Sequence, residues 1–287
     1  MSTPAERLRT LLSREGLRLM PCCFDALSAR LIERAGFELS FMSGFGVSAA
    51  RLALPDTGLI SFGEMLDQGR TICAAVGLPV IGDADTGYGN PMNVQRTVEG
   101  YARAGFAGVM IEDQLAPKRC GHTQGKEVVS REEACLRIRA AVRAREAGAD
   151  ILVMARTDAR AQHGFDEALD RCRAFADLGA DMLFLEAPRS EAEMERFCRE
   201  GPALPKMANV VEEGQTPVLL PERLEQIGFK LAAYPLTLLS AAARAMQDAL
   251  AALAEGRPVS QRLDFSELQE VVGFHAYDAA LEAYARR

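Results

Sequence analysis

Short apolar runs recur along the chain, and most are followed by roughly 10 to 15 residues with helical hydrophobic spacing, the pattern of parallel βα units. The runs that read as strands are LRLMPC (17–22), LSFMS (39–43), PVIGD (79–83), GVMIE (108–112), ILVMAR (151–156), MLFLE (182–186), PKMAN (205–209) and KLAAY (230–234). Amphipathic spacing predicts helices over 25–35, 62–76, 92–104, 131–147, 165–178 and 191–199. Returns such as RAGFAGV and DLGADML place a glycine where a left-handed helix C-cap is needed before the next strand. Eight strands with short returns predict an α/β fold of the closed (β/α)8 type rather than an open doubly wound sheet.

Two stretches exceed what a plain barrel needs. The connection after the fourth strand, EDQLAPKRCGHTQGKEVVSREE, is long enough to be a binding or gating loop over 113–130. Beyond the eighth strand, residues 236–287 form a C-terminal extension whose helices carry more apolar face than one barrel exterior buries. Such surplus apolar surface predicts packing on a neighbouring subunit.

Composition narrows the function more than the fold. A length of 287 residues suits one barrel domain spanning 1–287, and 48% hydrophobic residues can fill a large core. The net charge of -7, with scattered lysines and arginines, argues against nucleic acid or an anionic membrane as partner. No run reaches transmembrane length, and the charged amphipathic N-terminus does not read as a signal peptide, so a cytoplasmic protein is expected. The seven cysteines, at 22, 23, 73, 120, 135, 172 and 198, show no zinc spacing and read as reduced thiols. A small molecule is the expected partner.

In a barrel the chemistry sits at the C-terminal ends of the strands. There the sequence places Ser43 and Gly44, Asp83 and Asp85, Glu112, Arg156, Glu186 and Asn209. The stretch VIGDADTGYGN puts two aspartates two positions apart, a destabilising arrangement unless the pair is solvated in a turn or holds a cation. Asp83, Asp85 and Glu112, with Asp56 from LPDTG, offer only oxygen donors, which suit Mg2+, with Mn2+ as the alternative. Arg156 and Asn209 supply donors for a substrate carboxylate or oxyanion. Ser43 with the amides of Gly44 and Gly46 in SGFG could form a small anion nest.

Within the loop, PKRCGH sets Cys120 beside two cations and close to His122, an electropositive setting that favours the thiolate. Gly121 and His122 are candidate substrate contacts. The other cysteines read as packing residues.

The ordered set DADTGYGN, IEDQ, PKRCGH, GKEVVSREE, ARTDAR and FLEAP resembles the isocitrate lyase and phosphoenolpyruvate mutase superfamily over nearly the whole chain. The resemblance implies a magnesium-dependent (β/α)8 barrel, a homotetramer with an exchanged helix, Asp83 as direct metal ligand, and Asp56, Asp85 and Glu112 holding metal-bound water. Cys120 matches the lyase cysteine that protonates a carboxylate enediolate, and Cys-Gly-His in the loop argues for the lyase branch over the phosphonate mutases. Arg156 and Glu186 complete the catalytic set. Isocitrate and methylisocitrate lyases carry a tyrosine where this chain has Phe41, so the base that takes the hydroxyl proton is left open. Ser240 and Phe265 stand where methylisocitrate lyases clamp a third carboxylate with arginines. That disfavours a tricarboxylate, whose extra charge would be unpaired. The implied reaction is cleavage of a 2-alkylmalate or 2,3-dimethylmalate-like acid to a 2-keto acid such as pyruvate plus a carboxylic acid. Methylisocitrate cleavage, oxaloacetate hydrolysis or decarboxylation, phosphonate mutation and non-catalytic dicarboxylate binding are the alternatives. Pro235, where oxaloacetate-cleaving relatives tend to carry serine, lowers the oxaloacetate reading.

Overall fold

The computed structural model describes residues 2–121 and 125–285. Eight parallel strands close into a barrel in sequence order. They are β1 (Arg18–Cys23), β2 (Ser40–Met42), β3 (Val80–Asp83), β4 (Gly108–Glu112), β5 (Leu152–Thr157), β6 (Met182–Leu185), β7 (Lys206–Asn209) and β8 (Leu231–Tyr234). β8 returns to pair with β1, which leaves no sheet edge. All eight expected strands are present, each within a residue or so of its sequence bounds.

The strands read as apolar runs because both faces are buried, and the two faces belong to different cores. Inward positions of period two, among them Met20 and Cys22, Ile81, Met110, Met154, Met182 and Phe184, and Met207, fill the barrel lumen. Helix α1 (Pro4–Ser13) contributes Ala5, Leu8 and Leu11 to that inner cluster, so it closes the lumen at one end. The intervening positions, such as Val80, Val109, Ile111, Val153 and Leu183, face the surrounding helices.

Those helices are α2 (Ala26–Arg34), α4 (Phe62–Ala75), α5 (Pro91–Ala104), α6 (Arg131–Glu146), α8 (Phe165–Asp177), α9 (Glu191–Glu200) and α10 (Pro221–Ile227). Local chemistry sets their starts: Asp25, Ser61, Asn90, Ser130 and Ser190 each accept a backbone N–H of the first turn. The expected C-cap geometry occurs after α5 and α8, with Gly105 at φ +98° and Gly179 at +95°. Three features escaped the periodicity reading: α3 (Gly44–Val47), continued by a π-helical turn over Ser48–Leu52, the single-turn α7 (Arg160–His163), and α10. The first two are too short to show an apolar stripe.

The chain divides into two compact units, 1–238 and 239–287. Helix α11 (Thr237–Ala254) begins at the end of the first; α12 (Phe265–Val272) and α13 (Phe274–Ala285) lie in the second. The second unit is rich in exposed apolar side chains, including Leu250, Leu253, Phe265, Tyr277, Leu281 and Tyr284. Among the described residues no helix is long and apolar enough to cross a membrane.

Candidate active site

The inward alternation that packs the lumen continues into polar residues at the strand C-termini. Met110 is followed at i+2 by Glu112, Met154 by Arg156, Phe184 by Glu186, Met207 by Asn209, Phe41 by Ser43 and Ile81 by Asp83. Period two therefore delivers six polar side chains to the same end of the barrel. A small cavity of about 70 Å³ lies there, lined by Ser43, Asp56, Asp83, Lys118, Cys120, Gly121, Arg156, Glu186 and Asn209 on its polar side. Cys22, Phe41, Met110, Phe184, Met207, Val211, Pro235 and Leu236 give it an apolar floor and wall. The volume suits a small acid.

The aspartate pair comes together by a turn and not by strand alternation. β3 ends at Asp83, and Asp85 takes a left-handed conformation, φ +48°. Its N–H donates to Asp83 Oδ1 at 3.0 Å, and its carbonyl accepts Glu112 N–H at 2.9 Å. Aspartate is among the few non-glycine residues that enter this region at low cost, and these two contacts hold it there. Gly44 explains how close the carboxylates sit: a Cβ added to it would lie 2.6 Å from Asp83 Oδ2, so only glycine fits.

The amides of Gly44 and Gly46, expected to form an anion nest, are engaged within the chain. Gly44 N–H donates to Asp83 Oδ2 at 3.2 Å, and Gly46 N–H is taken by Ser43 Oγ at 3.1 Å, because Ser43 caps α3. These amides are satisfied within the chain, and neither glycine lines the cavity.

Lys118 of PKRCGH, which the sequence reading treated only as a neighbour of the thiol, is a site residue. Its buried Nζ lies 2.5 Å from Asp56 Oδ1 and 2.9 Å from Asp85 Oδ1. One ammonium against four carboxylates leaves negative charge in excess. Burial, aided by Asp83 and Asp56, pushes the Asp85 carboxyl up to about 6 despite Lys118. Burial likewise raises Glu112 well above the ordinary range, against the pull of Arg156. The four carboxylates hold the Lys118 ammonium more firmly protonated than usual, although burial works the other way.

Whether this set fits a metal can be judged from its donors. All are oxygens, they already gather one cation, and Glu112 Oε1 is buried with no hydrogen-bond partner. Among the described residues no three Asp, Glu, His or Cys side chains converge closely enough to ligate one ion directly. Asp85 and Glu112 lie outside the cavity lining, while Asp56 and Asp83 are in it. One direct carboxylate with the others reaching bound water is the arrangement these positions fit, and it is the coordination habit of Mg2+.

On the other side of the cavity Arg156 is held as a fork. It donates from Nε to Asp158 Oδ2 at 2.8 Å and from Nη2 to Asp158 Oδ1 at 3.0 Å, and pairs with Glu186 Oε2 at 3.1 Å and Glu112 Oε2 at 3.3 Å. Asn209 Nδ2 donates to Glu186 Oε2 at 3.4 Å. The guanidinium lies over the Phe184 ring, 5.0 Å from its centroid. Asp158, continuing the inward alternation of β5 past Arg156, was legible in ARTDAR and was missed.

Cys120 lines the cavity and is half-buried. Its six fellow cysteines all have thiols pushed up, chiefly by burial, with Cys23, Cys73 and Cys198 at about 12. That matches their reading as packing residues. His122 lies outside the described residues.

The family described as phosphoenolpyruvate phosphomutase matches residues 8–254. The chain belongs to this family. A 2,3-dimethylmalate lyase of Eubacterium barkeri is 41% identical over 98% of both chains. The petal death protein of Dianthus caryophyllus is 41% identical, over 94% of this chain and 86% of that one. Among solved structures, oxaloacetate acetylhydrolase in complex with 3,3-difluorooxalacetate superposes with a TM-score of 0.95 at 36% identity, covering 99% of this chain and 97% of that one. A 2,3-dimethylmalate lyase structure gives 0.92 at 36% identity over 100% and 96%.

Proposed function

We propose that this chain is a magnesium-dependent carbon–carbon lyase that cleaves a 2-alkylmalate or 2,3-dimethylmalate-like acid to a 2-keto acid and a carboxylic acid. The observation that carries this reading is Cys120 in the lining of a cavity that also offers Arg156, Glu186, Asn209 and the aspartates, beside an apolar wall. A phosphonopyruvate hydrolase of similar fold has been solved with oxalate and Mg2+, with a TM-score of 0.87 at 29% identity. Asp83 and Asp56, with Asp85 and Glu112 behind them, would hold Mg2+, which supplies Lewis-acid polarisation of the 2-hydroxy carboxylate.

The remaining work falls to side chains. Arg156 and Asn209 orient a carboxylate, with Ser43 as a further donor in the lining. Phe41 lines the cavity and cannot accept a proton, so the hydroxyl proton goes to a carboxylate; Glu186 is the lining carboxylate not assigned to the metal. As the C2–C3 bond breaks, its electron pair moves onto the departing carboxylate enediolate, and the Cys120 thiol donates a proton to C3. The apolar wall formed by Val211, Pro235 and Leu236 suits an alkyl substituent, and Pro235 disfavours the oxaloacetate reaction. Ser240 and Phe265, in the second unit, are both exposed and bring no cation. The exposed apolar surface of that unit supports association with further copies of the chain; the homotetramer that the family resemblance implies is tested by light scattering of the purified protein.

The reading is tested by a lactate dehydrogenase-coupled assay across 2-alkylmalates, oxaloacetate and methylisocitrate with Mg2+. Pyruvate from 2-alkylmalates is expected; no keto acid from any malate derivative would overturn it. Cys120→Ala lowers turnover by about a hundred- to ten-thousand-fold, the range of one proton-transfer group. Mg2+-dependent oxalate binding by calorimetry survives in the same variant.

A further inference from the structure

The stretch GKEVVS, part of the long connection after β4, holds a buried lysine that the reaction leaves unexplained. Lys126 is 8% exposed, and its Nζ donates to the Gly121 carbonyl and, at 2.9 Å, to Asp158 Oδ1. That Oδ1 is the same oxygen that accepts Arg156 Nη2. Gly121 in turn lies against Arg156 and Glu186: a Cβ added to it would meet Arg156 Nη2 at 2.5 Å and the Glu186 carboxyl at 2.7 Å. A triangle results in which Lys126 ties the Cys120–Gly121 backbone to the carboxylate that aims Arg156.

Independent contacts fix the triangle's base. Asp158 N–H donates to Asp113 Oδ1 at 2.8 Å, and Asp113 Oδ2 accepts Thr157 Oγ1 at 2.6 Å and Arg171 Nη1 at 3.0 Å. The stem of the connection is a short antiparallel ladder, with Leu115 N–H on Glu127 O and Val129 N–H on Asp113 O. Gln114 clasps the Arg119 backbone from both sides, its Nε2 donating to Arg119 O and its Oε1 accepting Arg119 N–H, each at 2.9 Å. Asp158, Asp113, Lys126 and Arg171 are all nearly buried, so each charge depends on these partners.

We propose that Lys126 is a positioning residue that seats the Cys120–Gly121 segment on Arg156, with Asp158 as the shared anchor. It touches no reacting atom; it sets where the thiol stands relative to the guanidinium. The inference rests on the reading of Cys120 and Arg156 as proton donor and carboxylate holder, and its first test needs no substrate.

The test uses Lys126→Met, which keeps the length and removes the charge, with Lys126→Arg as the conservative variant. The first measurement is the rate of Cys120 alkylation by iodoacetamide in the folded, ligand-free enzyme, mapped by mass spectrometry. Loss of one charge-assisted hydrogen bond frees the segment and raises that rate by about tenfold or more in Lys126→Met. Lys126→Arg returns the rate toward wild type. The second measurement is the kcat and KM split on the 2-alkylmalate that turns over: kcat falls by at least about tenfold while KM moves little, as for an interaction needed in the transition state. If Lys126→Met leaves Cys120 alkylation unchanged, the proposal is overturned, whatever the activity does. If alkylation rises while no malate derivative is cleaved even by the wild type, the positioning role stands and only the substrate reading fails. Should Lys126→Met fail to fold, Lys126→Gln carries the alkylation measurement against Lys126→Arg as the charge-retaining control, and an unchanged rate in Lys126→Gln overturns the proposal.

Discussion

Two buried ion clusters flank the cavity, each built on a lysine from the same long connection, and they are balanced in opposite ways. Around Lys118 stand Asp56, Asp83, Asp85 and Glu112, so negative charge is in excess and Asp85 and Glu112 are held above their ordinary range. Around Asp158 stand Arg156 and Lys126. Burial alone would raise the Asp158 carboxyl, yet the two cations outweigh it and hold it well below the usual carboxylate range. A cluster short of positive charge is disposed to take up a cation. A carboxylate such as Asp158, met by two cations, is disposed to stay as it is. The difference separates ligand-holding from framework among residues that look alike in sequence.

That contrast can be broken most sharply at Asp83. Asp83→Ala takes a carboxylate from the cation-poor cluster, and the lost metal chemistry, worth several kcal/mol, lowers kcat by about a thousandfold or more. Next come the stabilities. Lys118→Met and Asp158→Asn each strip a buried charge of its partner and each cost about 3–5 kcal/mol in thermal or denaturant unfolding. Only the first is expected to recover stability on addition of Mg2+, because only there can a metal replace the missing charge. Equal responses of the two variants to Mg2+ would end the distinction.

Acid gives a smaller effect of defined sign. Asp158 is depressed in the folded chain, so its contribution is present above the ordinary aspartate value of about 4 and is lost as pH falls toward the folded value. Stability of the wild type therefore drops below about pH 4 more steeply than that of Asp158→Asn, as followed by urea midpoints across pH. The smallest effect is a control outside both clusters. Asn90 caps α5 just after the aspartate turn, accepting Met92 N–H at 2.9 Å and Asn93 N–H at 3.3 Å. Asn90→Ala costs about 1 kcal/mol and leaves Mg2+ dependence and kcat unchanged.

How far the sequence could be read follows from which physical signals are local. Strand existence and inward facing depend on apolar alternation within a few residues, and so all eight strands and the polar residues at their ends were legible. The capping residues were equally local. What escaped were features decided by contact across the fold. Lys118 read as a cation near a thiol because nothing in PKRCGH says that its side chain turns toward Asp56 and Asp85. The Gly44 amide looked free because Asp83 reaches it only once β2 and β3 are side by side, while the cap of Ser43 on the Gly46 amide belongs to a helix too short to show an apolar stripe. Lys126 and Asp158 stand 32 residues apart in sequence, beyond any periodicity. The turn at Asp85 falls between these cases: its glycines signalled a bend, but the left-handed aspartate itself did not announce its conformation.

The left-handed backbone at Asp85 joins curvature and charge in a single letter of the sequence. Residues that enter that region at low cost are glycine, asparagine and aspartate, and only the last is charged. A lineage released from the demand for chemistry could exchange Asp85 for asparagine or glycine and keep the bend intact. Position 85 thus carries two demands: the backbone admits a short list, and the proposed Mg2+ site calls for its one carboxylate.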